Sequence, residues 1–204
     1  MGHKHRPPGR PRNNESNEPT HLRILQIAKA LFLEHGFQKV SIDDIAMASG
    51  VTKATVYYYY ETKALLFTKS MIAMMERIRG RMLQLLGRDK PLYERLLDVA
   101  EAHLKATTSI DLDGFMRETK TSLSPQQVQY IRETEEKMYG EIENALRTAM
   151  ANGEMKTINP TFAAHSYISL LRVGNYRHSD GTAIFPSDHE AACQIVDLFL
   201  KGAE

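Results

Sequence analysis

The sequence predicts an all-α protein in which a small N-terminal three-helix domain precedes a larger helical bundle, about nine helices in total. Three observations carry this. Apolar residues recur with a period near 3.6 from residue 20 almost to the end of the chain. Glycine and proline punctuate the boundaries of those periodic stretches. Several stretches open on capping sequences, including Ser41-Ile42-Asp43-Asp44, Ser124-Pro125-Gln126-Gln127 and Ser187-Asp188-His189-Glu190.

Met1 to Glu18 is expected to be a disordered basic tail, because it is rich in Pro, Gly, Asn and Arg and has no apolar period. The first helix is expected over Thr20–His35, with Ile24, Ile27, Ala28 and Leu31 on one stripe and Gly36 ending it. Ser41 caps a short second helix from Ile42 to Ser49, and acids at 43 and 44 suit its N-terminal dipole. Gly50 stops that helix, Val51 is a lone apolar residue in the turn, and Thr52 caps a third helix over Lys53–Tyr60. Thr62 caps a fourth, which continues through Met71, Met75 and Met82. Further helices are expected over 91–108, 112–121, 125–151, 159–176 and 187–202.

Taken alone, Thr55-Val56 followed by four tyrosines favours a strand. The flanks reverse that preference: a short helix, a Gly-containing turn with one apolar residue and a second short helix form a helix-turn-helix. Residues four apart share a helix face, so Val56 and Tyr60 pair toward the core while Tyr57, Tyr58 and Tyr59 point elsewhere.

The bulk numbers leave room for this reading. The 204 residues carry a net charge of only +1, so binding to nucleic acid must rest on local charge. The single cysteine, Cys193, rules out an intramolecular disulfide framework and points weakly to a cytoplasmic protein. No apolar run approaches the roughly 20 residues that span a bilayer, and no signal peptide is expected.

The run from Ile24 to Phe67 resembles the DNA-binding domain of TetR-family transcriptional regulators. The resemblance rests on Ile45-Ala46, then Ala48-Ser49-Gly50-Val51-Thr52-Lys53-Ala54-Thr55-Val56-Tyr57-Tyr58-Tyr59-Tyr60, then Lys63 and Leu65-Leu66-Phe67. Two positions depart from the pattern: Ala54 stands where the family often has Gly, and Tyr60 where Phe is common. The resemblance implies a tail over 1–18, a DNA-binding domain over 19–66 and a ligand-binding and dimerisation domain over 67–204. It implies phosphate contacts by Ser41, Thr55, Tyr57, Tyr58, Tyr59 and Lys63, and base-edge contacts near Lys53 and Ala54, with Thr52 on the same side. Arg10 and Arg12 belong to a Gly-Arg-Pro tail that resembles an AT-hook, with two readings open: arginines that enter a minor groove, or a solvated basic tail that adds only salt-dependent affinity.

In the second domain the resemblance implies a small-molecule effector and a homodimer seam on the last two helices. Expected pocket residues are Tyr93, His103, Met116, Met138, Tyr139 and Tyr167; expected seam residues are Phe162, Ile168, Leu171, Ala192, Ile195 and Phe199. The expected protein is a repressor that leaves a pseudo-palindromic operator when effector binds. It has no cofactor, no catalytic set and no resident metal, although a Gly2-His3-Lys4 start has the form of a Cu(II)-binding terminus. The alternatives are control by a protein partner in place of a ligand and, from another class, a helical-bundle enzyme. A closed apolar cavity would favour the ligand over the partner.

Overall fold

The computed structural model describes residues 18–107 and 119–202. The basic tail with Arg10 and Arg12, the Gly2-His3-Lys4 start, Met116 and most of the helix expected over 112–121 lie outside them. The described residues form eight α-helices: α1 (Thr20–His35), α2 (Ile42–Ala48), α3 (Lys53–Tyr59), α4 (Lys63–Leu86), α5 (Leu92–Thr107), α6 (Pro125–Ala151), α7 (Pro160–Gly174) and α8 (Asp188–Lys201). Lys120–Ser122 is a single 3-10 turn. No helix among the described residues is long and apolar enough to cross a membrane.

The caps fall where the sequence places them. Ser41 and Ser124 form reciprocal capping boxes with Asp44 and Gln127. Thr52, Thr62, Asn159 and Ser187 each accept from a backbone N–H three residues on. Gly36 and Gly50 adopt φ of 83° and 64°, which non-glycine residues rarely take.

The first three helices are held together by one small core. Ile24, Ala28 and Phe32 from α1 meet Ile42, Ile45 and Ala46 from α2, Val56 from α3, and Leu66 and Phe67 at the start of α4. Phe32, Phe37 and Phe67 form a triangle with ring centroids 5.1–5.7 Å apart. Each such side chain withdrawn from water contributes about 1.5–3 kcal/mol. Tyr60 closes the bottom of α3, 8% exposed. Its hydroxyl donates to the His21 carbonyl at 2.8 Å, which meets the need for a partner that a Phe would not have.

The boundary expected at 66/67 falls inside α4, whose first turns pack on α1 and whose remainder lies along α6. Behind it α5 packs on α8, and α7 packs against both α6 and α8. The helix expected to reach Tyr176 ends at Gly174, with the Asn175 N–H bonded back to Arg172. A Cβ at Gly174 would stand 2.6 Å from Leu104 Cδ2 and 2.9 Å from Ile195 Cδ1, so the absence of a side chain lets α7 approach α5 and α8. Both methyl groups belong to buried residues with little room to retreat. Overpacking costs about 1–3 kcal/mol and removing a helical glycine returns roughly 1 kcal/mol, so Gly174→Ala is expected to lower stability by up to about 2 kcal/mol. A fall in the urea midpoint at constant slope checks this.

Candidate nucleic-acid interface

α2 and α3 cross over a four-residue turn. Gly50 donates to the Met47 carbonyl at 3.1 Å and Val51 to the Ala46 carbonyl at 3.0 Å, which ties the turn to the end of α2. Val51 then packs against the core. Val56 is fully buried and Tyr60 nearly so, which fixes the rotation of α3 about its axis. The other tyrosines are therefore turned outward: Tyr58 is 81% exposed, Tyr57 42% and Tyr59 41%. Tyr58 and Tyr59 meet edge to face at 5.0 Å, and Tyr59 lies 5.8 Å from the His21 ring of α1. Three adjoining aromatic rings thus share one exposed surface with Thr52, Lys53 and Ala54, while Thr55 is half-buried.

Several of these groups already have partners. The Thr52 hydroxyl accepts from the Thr55 N–H at 3.1 Å and lies 2.8 Å from the Thr55 hydroxyl. Ser41 Oγ lies 2.6 Å from Asp44 Oδ2 and accepts from the Asp44 N–H at 3.1 Å, so its hydroxyl is engaged in the cap. The Ser41 bonds hold the Asp44 carboxyl below the usual carboxylate range. Lys53 Nζ donates to Asp43 Oδ2 at 2.7 Å. Lys63 is half-buried; its Nζ sits 4.4 Å above the Phe37 ring and 3.5 Å from the Gln38 carbonyl, and burial lowers its pKa. Gln38 is also tied outward: its Nε2 donates to Ser122 Oγ at 2.8 Å, joining the helix-turn-helix to the turn that precedes α6.

Among the described residues, the expected pocket residues do not converge on one site. Tyr139 and His103 stand near Arg172 at the edge of the bundle, where the end of α5, α6 and α7 meet. The Tyr139 hydroxyl donates to Glu135 Oε1 at 2.9 Å and accepts from Arg172 Nη2 at 3.1 Å, and its ring meets His165 edge to face at 5.6 Å. Burial, reinforced by Glu135, pushes the Tyr139 hydroxyl up to about 12. Burial first, then the Arg172 charge, lowers the His103 pKa. Tyr93 lies ten residues earlier on α5, about 15 Å along the helix, beside Asp197 and Cys193. Met138 is buried in α6. Tyr167 is part of the packed core: it is 0% exposed, its hydroxyl donates to the Leu96 carbonyl at 2.5 Å, and its ring lies 5.2 Å from Phe199. A cleft of about 470 Å³ between α4 and α5 is lined by Arg81, Leu85, Arg88, Asp98, Glu101, Ala102, Lys105 and Ala106, and holds none of the expected pocket residues.

The expected seam residues differ in how open they are within one chain. Ile168, Leu171, Ala192, Ile195 and Phe199 are 0–7% exposed within one chain, so they form the chain's own α7–α8 core and offer little surface to a second copy. Phe162 alone of the six is open, at 67%. The apolar surface on these helices comes instead from Phe162, Val173 and Leu198, the last 62% exposed. Sequence reasoning also missed Arg172 and Gln38. Arg172 had a signal, being the only Asp, Glu, Lys or Arg in α7. Gln38 had none, because its partner lies 84 residues away.

The His103 environment has a consequence for stability. Its folded pKa is lowered, so above the unfolded value of about 6.5 both states are neutral and stability is full. As pH falls below that value the unfolded chain takes up the proton first, and stability is lost until the folded pKa is passed. His103→Gln is expected to flatten the decline in melting temperature as the pH falls below about 6.5, as followed by thermal melts over a pH series.

Comparison with known proteins gives this surface a context. Residues 24–69 match the family model described as bacterial regulatory proteins, tetR family. The chain is 42% identical over 65 residues to an uncharacterised helix-turn-helix transcriptional regulator, YdeS, of Bacillus subtilis, a match that covers 32% of this chain and 31% of that protein. Among solved structures, a putative TetR-family regulator from Mesorhizobium loti superposes with a TM-score of 0.74 at 20% identity, covering 90% of this chain and 96% of that one. FadR from Bacillus subtilis, solved in complex with stearoyl-CoA, superposes with a TM-score of 0.71 at 16% identity, covering 90% of this chain and all (100%) of that one. The sequence likeness is concentrated in the segment that builds the α2–α3 surface, and the likeness beyond it is one of fold. Residues 24–69 thus resemble the tetR family of bacterial regulatory proteins, and the rest of the chain shares the fold of solved TetR-family structures.

Proposed function

We propose that the protein is a cytoplasmic, effector-controlled repressor that binds a pseudo-palindromic operator as a homodimer. The observation that carries the reading is the outward face of α3. Val56 and Tyr60 anchor the helix, and Lys53, Ala54, Tyr57, Tyr58 and Tyr59 stand exposed on a surface that the fold leaves uncovered. Aromatic rings with hydroxyl tips suit a sugar–phosphate backbone, and Lys53 and Ala54 at the start of the helix suit base edges in the major groove. Lys63, at the start of α4, is a phosphate contact in this reading, reached once it turns from Gln38.

Phe162, Val173 and Leu198 supply the dimer seam in this proposal, which sets two α3 helices about one helical turn of DNA apart. The effector enters near His103, Tyr139 and Arg172, where a guanidinium and a tyrosine hydroxyl suit an acidic or acylated ligand. FadR from Bacillus subtilis binds stearoyl-CoA in the same fold, so acyl-CoA thioesters are the first class to test. In this reading the Gln38–Ser122 hydrogen bond, beside Lys63, links the segment before α6 to the helix-turn-helix. A few kcal/mol of differential affinity is enough to shift such a switch.

Selection of bound duplexes from a random pool, followed by anisotropy titration, tests the DNA half. Enrichment of a palindrome is the expected result, and a folded chain that retains no duplex at low salt would sink the reading. Tyr57→Phe is expected to weaken operator binding about threefold or more by removing one hydrogen-bonding hydroxyl per subunit, with an unchanged melting temperature. Leu198→Glu is expected to shift the dimer toward monomer in sedimentation and to weaken operator binding, while circular dichroism stays helical.

A further inference from the structure

Lys53 stands first on α3, at the position closest to base edges in the proposed interface, yet its ammonium is held by a carboxylate of the other helix of the motif. Asp43, in the first turn of α2, receives Lys53 Nζ at 2.7 Å across ten residues of sequence. The pair is solvated, with side chains 51% and 66% exposed, so it adds little to folding. Its neighbour Asp44 is committed to the Ser41 cap, which leaves the Asp43 carboxylate for Lys53. Nothing in the core requires an acid at 43, because the capping box is complete without it.

A carboxylate on a DNA-facing surface opposes binding to phosphates of any sequence. We propose that Asp43 is a specificity-determining residue that restrains the Lys53 ammonium, lowering its use as a general phosphate contact and aiming it at a base edge. This inference rests on the DNA-binding reading of α3. Released from Asp43, a lysine on a flexible four-carbon stem swings to the nearest phosphate on any duplex. Held by Asp43, it gains contact only where a base edge offers an acceptor in reach, such as the O6 and N7 of guanine. Asp43 therefore weakens non-specific binding more than operator binding. The same pairing raises the Lys53 pKa and keeps the ammonium charged.

The test compares the full-length wild-type chain with Asp43→Asn on two fluorescent duplexes, one enriched from the random pool and one with the same base composition in shuffled order, over a salt series. Asp43→Asn is expected to bind the shuffled duplex about threefold or more tightly, and to steepen its salt slope by about one ion per engaged subunit. The ratio of enriched to shuffled affinity is expected to fall about fivefold, roughly 1 kcal/mol. Adding Lys53→Gln to Asp43→Asn should return the shuffled-duplex affinity and slope to the wild-type values, an outcome that a purely structural role for Asp43 would not produce. An unchanged ratio in a folded Asp43→Asn protein overturns the inference alone, as does a gain that survives Lys53→Gln. Absence of any duplex binding by the wild-type chain overturns the DNA-binding reading and this inference with it.

Discussion

The seating of α3 on Val56 and Tyr60 is the constraint on which the rest of the N-terminal domain depends. A seven-residue helix has too few internal hydrogen bonds to persist alone. It is held at one end by the Thr52 cap and at the other by a tyrosine that is both buried and hydrogen-bonded to α1. Because successive residues on a helix are rotated by about 100°, fixing two of them fixes all. Rotation by one residue would bury Tyr57 in place of Val56 and strand its hydroxyl, at a cost of about 1–3 kcal/mol for an unsatisfied buried group. The outward tyrosines are thus a consequence of the inward ones.

Charge is arranged locally rather than in bulk. A net charge of +1 gives no long-range attraction to a polyanion, and the proposed interface holds acids as well as bases. Lys53 is paired with Asp43, and Lys63 is half-buried over Phe37. Tyrosine hydroxyls and ring faces supply most of the free surface. In the proposed role, such an interface draws on shape and hydrogen bonding as well as on charge.

The N-terminal domain was legible in the sequence because its determinants are local. Ser41 with Asp44, Gly50 with Met47, Thr52 with Thr55 and Val56 with Tyr60 are each three or four residues apart, so spacing alone places them. The capping box at Ser124 was legible for the same reason. The bundle was legible only as a set of helices. An apolar stripe such as Ile168 and Leu171, or Ile195 and Phe199, says that a face is buried but not what buries it, and here the chain buries it itself. Tyr167 and Met138 read as pocket residues by type, yet pocket and core share a composition, and only packing separates them. Gln38 and Ser122, 84 residues apart, carry no mark in the sequence of their meeting.

The close approach at Gly174 bears on how any motion passes through the molecule. With no side chain there, α7 rests directly on Leu104 of α5 and Ile195 of α8, and the three helices form a block with no room to slide at that end. α4 and α6 lie along each other outside this contact, although α6 also packs on α7. In the proposed dimer the block is the pedestal and α4 the lever arm, with the helix-turn-helix at its far end. In that proposed role, the first turns of α4, packed on α1, are what would carry its tilt to the tyrosines of α3.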